Sequence, residues 1–327
     1  MLMKALQVDK PRSFELVQVP VPELKKNGTE TILVKSKWVS MCGSDIPFFT
    51  GTKRHKSYPL HVGAPIHECL GRVVESTSST FQPGDPVIAI PEGDQGLSEF
   101  FIAQAAKSVK LPSDLDDNGT SCLIQPLSTV INAVDRLGNV EGKSVAVIGL
   151  GSIGQFFCWL LKKRGAARVV GVDPFAQRCQ TAQNLGADAT YPMHSIEVVH
   201  AFHQSPEFWQ MPEICVEAVG HQMNTLNDCF ELVQQRGTIL AFGVPDHLVY
   251  AIEYETFFRK NAHLVACVTP DWSEYLVKSM ELFLSFRAEL EPLVTHRLHI
   301  REAEKAFNLY ERHEDGVIKA LIDTSNW

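Results

Sequence analysis

Two groups of residues in this sequence have types and spacing that could do chemistry. The first is Cys42, in Met41-Cys42-Gly43-Ser44-Asp45, together with His67 and Glu68, in Pro65-Ile66-His67-Glu68-Cys69. Thiolate, imidazole and carboxylate suit Zn²⁺, which takes S, N and O ligands tetrahedrally and in catalytic sites keeps one position for water or substrate. Spacing alone leaves a second reading open, a core cysteine and a surface His-Glu pair. The second group is Gly149-Leu150-Gly151-Ser152-Ile153-Gly154. A loop of this type cradles the pyrophosphate of a dinucleotide, provided that a strand precedes it and a helix follows.

The flanking sequence meets that condition. Ser144-Val145-Ala146-Val147-Ile148 is an apolar strand run, and a helix from Ile153 pairs Phe156 with Leu160 and Phe157 with Leu161. Gly165 falls at the C′ position, where a left-handed residue ends helices. Gly149 permits the tight turn, Gly151 lets the backbone approach a phosphate, and Gly154 lets the helix pack closely. Ser152 and Ile153 offer amides at the helix N-terminus, where the dipole favours anions. The next strand, Arg168–Val172, ends at Asp173, about 20 residues past the last glycine, where a carboxylate accepts from the ribose hydroxyls and repels a 2′-phosphate. This predicts NAD(H) over NADP(H). Arg178 either pairs a phosphate and weakens that preference, stacks beside the adenine, or lies in solvent.

The elements around these groups fall into two regimes. The first ~120 residues read as strands and turns. In Thr31–Ser40, Ile32, Val34 and Trp38 share one parity and Leu33 and Val39 the other. Gln82-Pro83-Gly84-Asp85-Pro86 is a tight turn before a strand at Val87–Ile90, and Pro91 to Gly96 is a short polar turn. After Leu123, strand-like runs at Ser144–Ile148, Val169–Val172, Ile214–Glu217 and Thr238–Phe242 alternate with helical ones. That alternation predicts a parallel, helix-covered sheet and an α/β protein. The last segment carries an amphipathic helix near Glu302–Tyr310 and a strand at Val317–Ile322.

Composition narrows the function. The chain has 327 residues, 45% hydrophobic and 21% charged, with a formal net charge of −8. The length suggests roughly two domains. An acidic chain without a basic block argues against nucleic acid and anionic membrane as partners. No apolar run approaches the ~20 residues of a membrane helix, and the N-terminus lacks the pattern of a signal peptide, so a cytoplasmic location is expected. The eight cysteines form no C-x-x-C pair and, Cys42 apart, read as small buried hydrophobes. His194, His200 and His203 read as a solvated helix face. Lys53-Arg54-His55-Lys56 is either an exposed turn or a loop that attracts an anionic substrate. Trp38, Phe48 and Phe49 line a pocket or the core.

Taken together and in order, Cys42-Gly43-Ser44-Asp45, His67-Glu68, Gly84-Asp85, Gly149–Gly154, Glu217-Ala218-Val219-Gly220, Pro292–Arg297 and Gly316–Lys319 resemble the zinc-dependent medium-chain dehydrogenase/reductase family, on its sorbitol, threonine and glucose dehydrogenase branch. The resemblance implies a mostly-β, GroES-like catalytic domain of residues 1–126 and 271–327 and a Rossmann domain of residues 127–270. It implies Cys42 and His67 as metal ligands, and Glu68 as a ligand or an adjacent shuttling carboxylate. Gln125 stands where some sugar dehydrogenases of the branch have a ligand glutamine. Asp45 would fix the imidazole of His67, Ser44 would take the substrate proton, and Lys319 would lie near the cofactor phosphates. The implied reaction moves a hydride between a secondary alcohol, polyol or sugar and NAD(H), with zinc as Lewis acid on the alcohol oxygen. A homo-oligomer, dimer or tetramer, is implied too, formed through the sheet edge around Thr238–Val249 and His263–Cys267.

Three departures from the family pattern stand out. Pro47 replaces a histidine that relays the proton to solvent, so the relay would run through Ser44, a ribose hydroxyl and water. Ile66 replaces the glycine before the ligand histidine. The Pro91–Gly96 stretch is too short for a structural-zinc lobe of four cysteines, so one zinc per chain is expected. Two rivals share the fold: a zinc-free enone or quinone reductase, against which Cys42, His67 and Glu68 argue, and a non-catalytic nucleotide-binding paralogue, which Pro47 and Ile66 favour.

Overall fold

Short apolar runs broken by turn residues make the N-terminal part of the chain a set of strands. β1 (Leu2–Lys10) and β2 (Ser13–Pro20) form an antiparallel hairpin. β3 (Thr31–Ser40) runs through a 3-10 turn at Gly43–Asp45 into α1 (Ile46–Thr50), and β4 (Glu68–Ser76), β5 (Pro86–Pro91) and β6 (Phe100–Lys110) follow. A second 3-10 turn, Thr120–Leu123, leads into α2 (Ile124–Leu137). Strand and helix then alternate: β7 (Ser144–Ile148), α3 (Ser152–Lys163), β8 (Arg168–Val172), α4 (Ala176–Asn184), β9 (Ala189–Tyr191), α5 (Ser195–Gln204), β10 (Ile214–Glu217), α6 (Asn224–Leu232), β11 (Thr238–Ala241), α7 (Tyr254–Arg259) and β12 (His263–Ala266). The chain closes with α8 (Trp272–Leu290), β13 (Val294–His299), α9 (Ala303–Arg312) and β14 (Lys319–Asp323).

This computed structural model describes residues 1–25, 28–52, 57–113, 115 and 118–327. The basic segment Lys53-Arg54-His55-Lys56 lies outside the described residues. The chain divides into one unit of Met1–Ser128 with Pro270–Trp327 and another of Thr129–Thr269. No helix among the described residues is long and apolar enough to cross a membrane.

In the first unit a six-stranded sheet runs in the order β13-β14-β3-β4-β5-β6, and β3 also pairs with β6. β3 is therefore hemmed in by β4, β6 and β14, and Ile32, Leu33 and Val34 are all buried. Apolar residues of both parities are buried along it for two reasons. Both of its faces are covered, and the register shifts between Leu33 and Val34 and between Ser36 and Trp38. Each shift resets which side chains share a face. Phe49 on α1 packs against Phe307 on α9, with ring centroids 4.8 Å apart, so the short helix beside Cys42 is anchored in the core.

The last strand starts later than the run Val317–Ile322 suggests. Val317 and Ile318 are buried, but their amides donate to the Glu314 carbonyl and to the Thr295 side-chain hydroxyl on β13, not to a backbone carbonyl of a neighbouring strand. Burial makes those residues apolar; the preceding 3-10 turn at Glu314–Gly316 takes up the Val317 amide, and the Thr295 hydroxyl that of Ile318.

In the second unit the sheet is parallel, in the order β9-β8-β7-β10-β11-β12. That is the doubly wound dinucleotide-binding order, in which ligands sit at the strand C-termini where the order reverses, here between β7 and β10. α3 buries Phe156, Phe157, Cys158, Trp159, Leu160 and Leu161, so nearly all of its circumference is packed.

Candidate metal centre and dinucleotide loop

Strand register builds the first site. β3 and β4 are antiparallel, with Ser40 opposite Glu68 and Val39 opposite Cys69. The residues just past the end of β3 therefore lie beside those at the start of β4. One potential ligand atom from each of Cys42, His67 and Glu68 falls within 4.8 Å of the others. Cys42 and His67 are partly exposed and Glu68 is buried.

Asp45 lies behind this trio. Its Oδ1 is 3.0 Å from His67 Nδ1, and its Oδ2 accepts the Cys42 amide at 2.8 Å. One carboxylate thus fixes both the imidazole ring and the backbone of the cysteine. Burial pulls the pKa of His67 down, but the charge and hydrogen bond of Asp45, then the contact with Cys42, outweigh it and hold the group well above its ordinary value. The donor set fits zinc: one sulfur, one ring nitrogen and one carboxylate, converging from two strand ends.

The residues around the trio have structural explanations. Pro47 stands in the first turn of α1, where proline is tolerated, and its carbonyl accepts the amide of Gly51, whose φ is +72°. Ile66 is buried, and its carbonyl accepts the Gly96 amide at 3.0 Å. A side chain at Gly96 would come within 2.5 Å of Cys69 Sγ. The Pro91–Gly96 turn thus clamps the start of β4. Ser44 is partly exposed on the 3-10 turn, and Gln125 is buried in the first turn of α2.

Lys319 differs from its expected place beside the cofactor phosphates. It has no exposed surface. Its Nζ donates to Glu68 Oε1 at 2.8 Å and to the Met41 carbonyl at 2.8 Å, and lies 2.6 Å from Glu68 Oε2. Burial works against the ammonium, yet the Glu68 charge holds its pKa above the usual lysine value. Resemblance fixed the position of Lys319 in the chain, but nothing in the sequence shows that the first residue of β14 points at the first residue of β4.

The glycine loop is built from the end of β7. Gly149 has φ +92°, and its amide donates to the Val172 carbonyl at 2.8 Å. A Cβ on Gly154 would lie 1.8 Å from the Gly149 carbonyl oxygen, so the close approach that this glycine permits is of helix to loop. A Cβ on Gly151 would meet nothing within 4 Å. Gly151 is the N-cap of α3, and the backbone of Ser152 and Ile153 follows in its first turn.

Asp173 is buried at the end of β8. Its Oδ2 accepts the Leu150 amide at 2.8 Å and its Oδ1 the Phe175 amide at 2.9 Å. A carboxylate offers about four acceptor sites, so capacity for ribose hydroxyls remains. Arg178 stacks on the Phe175 ring at 4.9 Å and places Nη1 3.6 Å from Asp173 Oδ2.

Two supporting side chains have roles that the sequence did not assign, Gln155 and, within the segment Glu217–Gly220, Glu217. Gln155 is buried, and its Nε2 donates to the Leu150 and Arg178 carbonyls, both at 2.9 Å. It ties the glycine loop to the turn after β8. An amide on a helix carries no sequence signal for this. Glu217 Oε1 accepts from the amides of Val219 and Gly220 and from Thr225 Oγ1. The signal available for it was a carboxylate at a strand end followed by glycine.

Comparison with known proteins finds relatives over nearly the whole chain. Residues 28–113 match the family described as the alcohol dehydrogenase GroES-like domain, and residues 152–285 match the zinc-binding dehydrogenase family. The sorbitol dehydrogenase of Gallus gallus is 28% identical over 357 residues, spanning 98% of this chain and 97% of its own. The alcohol dehydrogenase of Thermus sp. ATN1 superposes with a TM-score of 0.82 at 22% identity, covering 98% of this chain and 100% of its own. A zinc-binding dehydrogenase of Sinorhizobium meliloti 1021, solved bound to NADP, superposes with a TM-score of 0.82 at 21% identity over 99% of each chain.

Proposed function

The chain belongs to the medium-chain dehydrogenase/reductase superfamily, in its zinc-type alcohol dehydrogenase family, and from that premise we propose that it is an NAD-linked dehydrogenase of a secondary alcohol, polyol or sugar with one catalytic zinc. The observation that carries the reading is the convergence of Cys42, His67 and Glu68 within 4.8 Å, with Asp45 orienting the imidazole.

When bound, zinc would polarise the alcohol oxygen and NAD would accept the hydride. The chain's own residues then have distinct tasks. Cys42 and His67 hold the cation, and Glu68 contributes a carboxylate oxygen. Gln125 adds a neutral amide, which leaves the site more positive than a carboxylate there would and favours an ionised substrate oxygen. Ser44 Oγ would take up the substrate's hydroxyl proton, and Pro47, which stands in place of a histidine, has no side-chain group that could relay it further. The amides at the start of α3 bind pyrophosphate. Asp173 would accept from the adenosine ribose and disfavour a 2′-phosphate, with Arg178, stacked on Phe175, 3.6 Å from its carboxylate.

The test is NAD⁺ reduction across a panel of alcohols, polyols, sugars and sugar phosphates, run with the unchanged protein and with Cys42→Ser. Turnover on at least one member should appear and should vanish in Cys42→Ser, while NADH titration by fluorescence stays within about threefold. Turnover that survives the substitution would remove zinc from the mechanism. Equal KM values for NAD⁺ and NADP⁺ would remove the cofactor preference.

A further inference from the structure

Lys319 is a fully buried lysine, a rare arrangement because an ammonium is strongly hydrated. The structure places its charge with care. Nζ bonds one carboxylate oxygen of Glu68 and lies within ion-pair distance of the other. It also bonds the carbonyl of Met41, the residue directly before Cys42. The ammonium thus touches the side chain of one candidate metal ligand and the backbone beside another. Glu68 itself has no exposed surface, and among the described residues its Oε2 has no partner besides the Lys319 ammonium.

We infer that Lys319 is a resident counter-cation of the metal centre, which neutralises Glu68 while the site is metal-free and opposes the metal when it binds. The inference rests on the zinc reading above. A buried carboxylate stripped of its partner is an uncompensated charge, which folds tolerate badly. Lys319 supplies the compensation before any metal arrives, so the site folds preformed. Once a divalent cation joins Cys42 and Glu68, two cations share one carboxylate and repel each other. The metal is held less tightly than the same ligands alone would hold it, and the site is one charge more positive than it would be without Lys319. Lys319 touches no reacting atom in this account and is a positioning residue.

The test is zinc affinity by competition with a chromophoric chelator, with melting temperature measured with and without zinc, for the unchanged protein, Lys319→Met and Lys319→Arg. Lys319→Met should bind zinc at least about tenfold more tightly than the unchanged protein and gain more melting temperature from it. Lys319→Arg keeps the charge and should stay close to the unchanged protein, an outcome that a mere packing role would not give. Equal or weaker zinc binding by Lys319→Met would overturn the inference while leaving the zinc reading intact. Unchanged protein that takes up no zinc would overturn both. If Lys319→Met is soluble only when expressed with zinc, the metal has replaced the missing charge and the inference is supported. If Lys319→Met and Lys319→Gln are both insoluble even with zinc, it is contradicted.

Discussion

Cys42 differs from the other cysteines in a way that chemistry can read. It is partly exposed, whereas Cys69, Cys122, Cys158, Cys179, Cys215, Cys229 and Cys267 are buried. Burial also pushes the thiol of Cys158 up to about 12, which keeps it protonated and unreactive. Iodoacetamide should therefore label Cys42 selectively in the native, metal-free protein, and zinc should slow that labelling by at least about tenfold. Peptide mass mapping that finds another cysteine labelled first would contradict the exposure argument. At this scale the sequence revealed residue types but not their neighbours. Cys42, His67 and Glu68 were candidate ligands by residue type, and the resemblance to the family pattern raised them above a core cysteine and a surface His-Glu pair. Their convergence depends on the pairing of Ser40 with Glu68, which no spacing encodes. Lys319 was misplaced for the same reason, since its partner is fixed by the pairing of β14 with β3 and of β3 with β4.

Elements with a single regular environment were the legible ones. The parallel strands β7, β8, β10 and β11 are short apolar runs between helices, and pattern alone locates them. β3 was legible over Thr31–Ser40 as well, but its two register shifts, which decide which side chains share a face, were not. The turn into β9 gives a test at this scale. Asp188 Oδ2 accepts the Val169 amide at 2.6 Å and lies 3.0 Å from Lys162 Nζ. Burial raises its pKa, but the Val169 amide and Lys162 outweigh that and hold it below the ordinary carboxylate value. A depressed folded-state pKa gives stability that is present above the unfolded value and lost as pH falls through the folded one. Asp188→Ala should cost about 1 kcal/mol at neutral pH, a figure discounted because the carboxylate is partly solvent-screened. The cost should be full above about pH 5 and fade below about pH 4. Chemical denaturation at several pH values checks this, and a cost that grows on acidification would contradict it.

For the molecule as a whole, the division into a mostly-β unit and a parallel α/β unit follows from the change of pattern after Leu123, and the strand order then fixes where a dinucleotide belongs. The sheet edge poses a separate problem. β12 is the edge strand, and Leu264 on it is exposed, as are Leu248, Val249, Tyr254 and Phe258 from the segments that lead to it. An exposed apolar edge invites pairing, and we propose that a second copy of this chain covers it. Light scattering should give a multiple of the 36.4 kDa chain mass, and Leu264→Lys should shift it toward monomer; a monomer at micromolar concentration would contradict this. The most direct test of the central claim, that Cys42, His67 and Glu68 form one catalytic metal centre, is the zinc content of freshly purified protein by mass spectrometry, beside that of His67→Ala. The account predicts one zinc per chain, lost in His67→Ala while NADH binding persists, whereas two zinc ions per chain, none, or one that survives the substitution would contradict it.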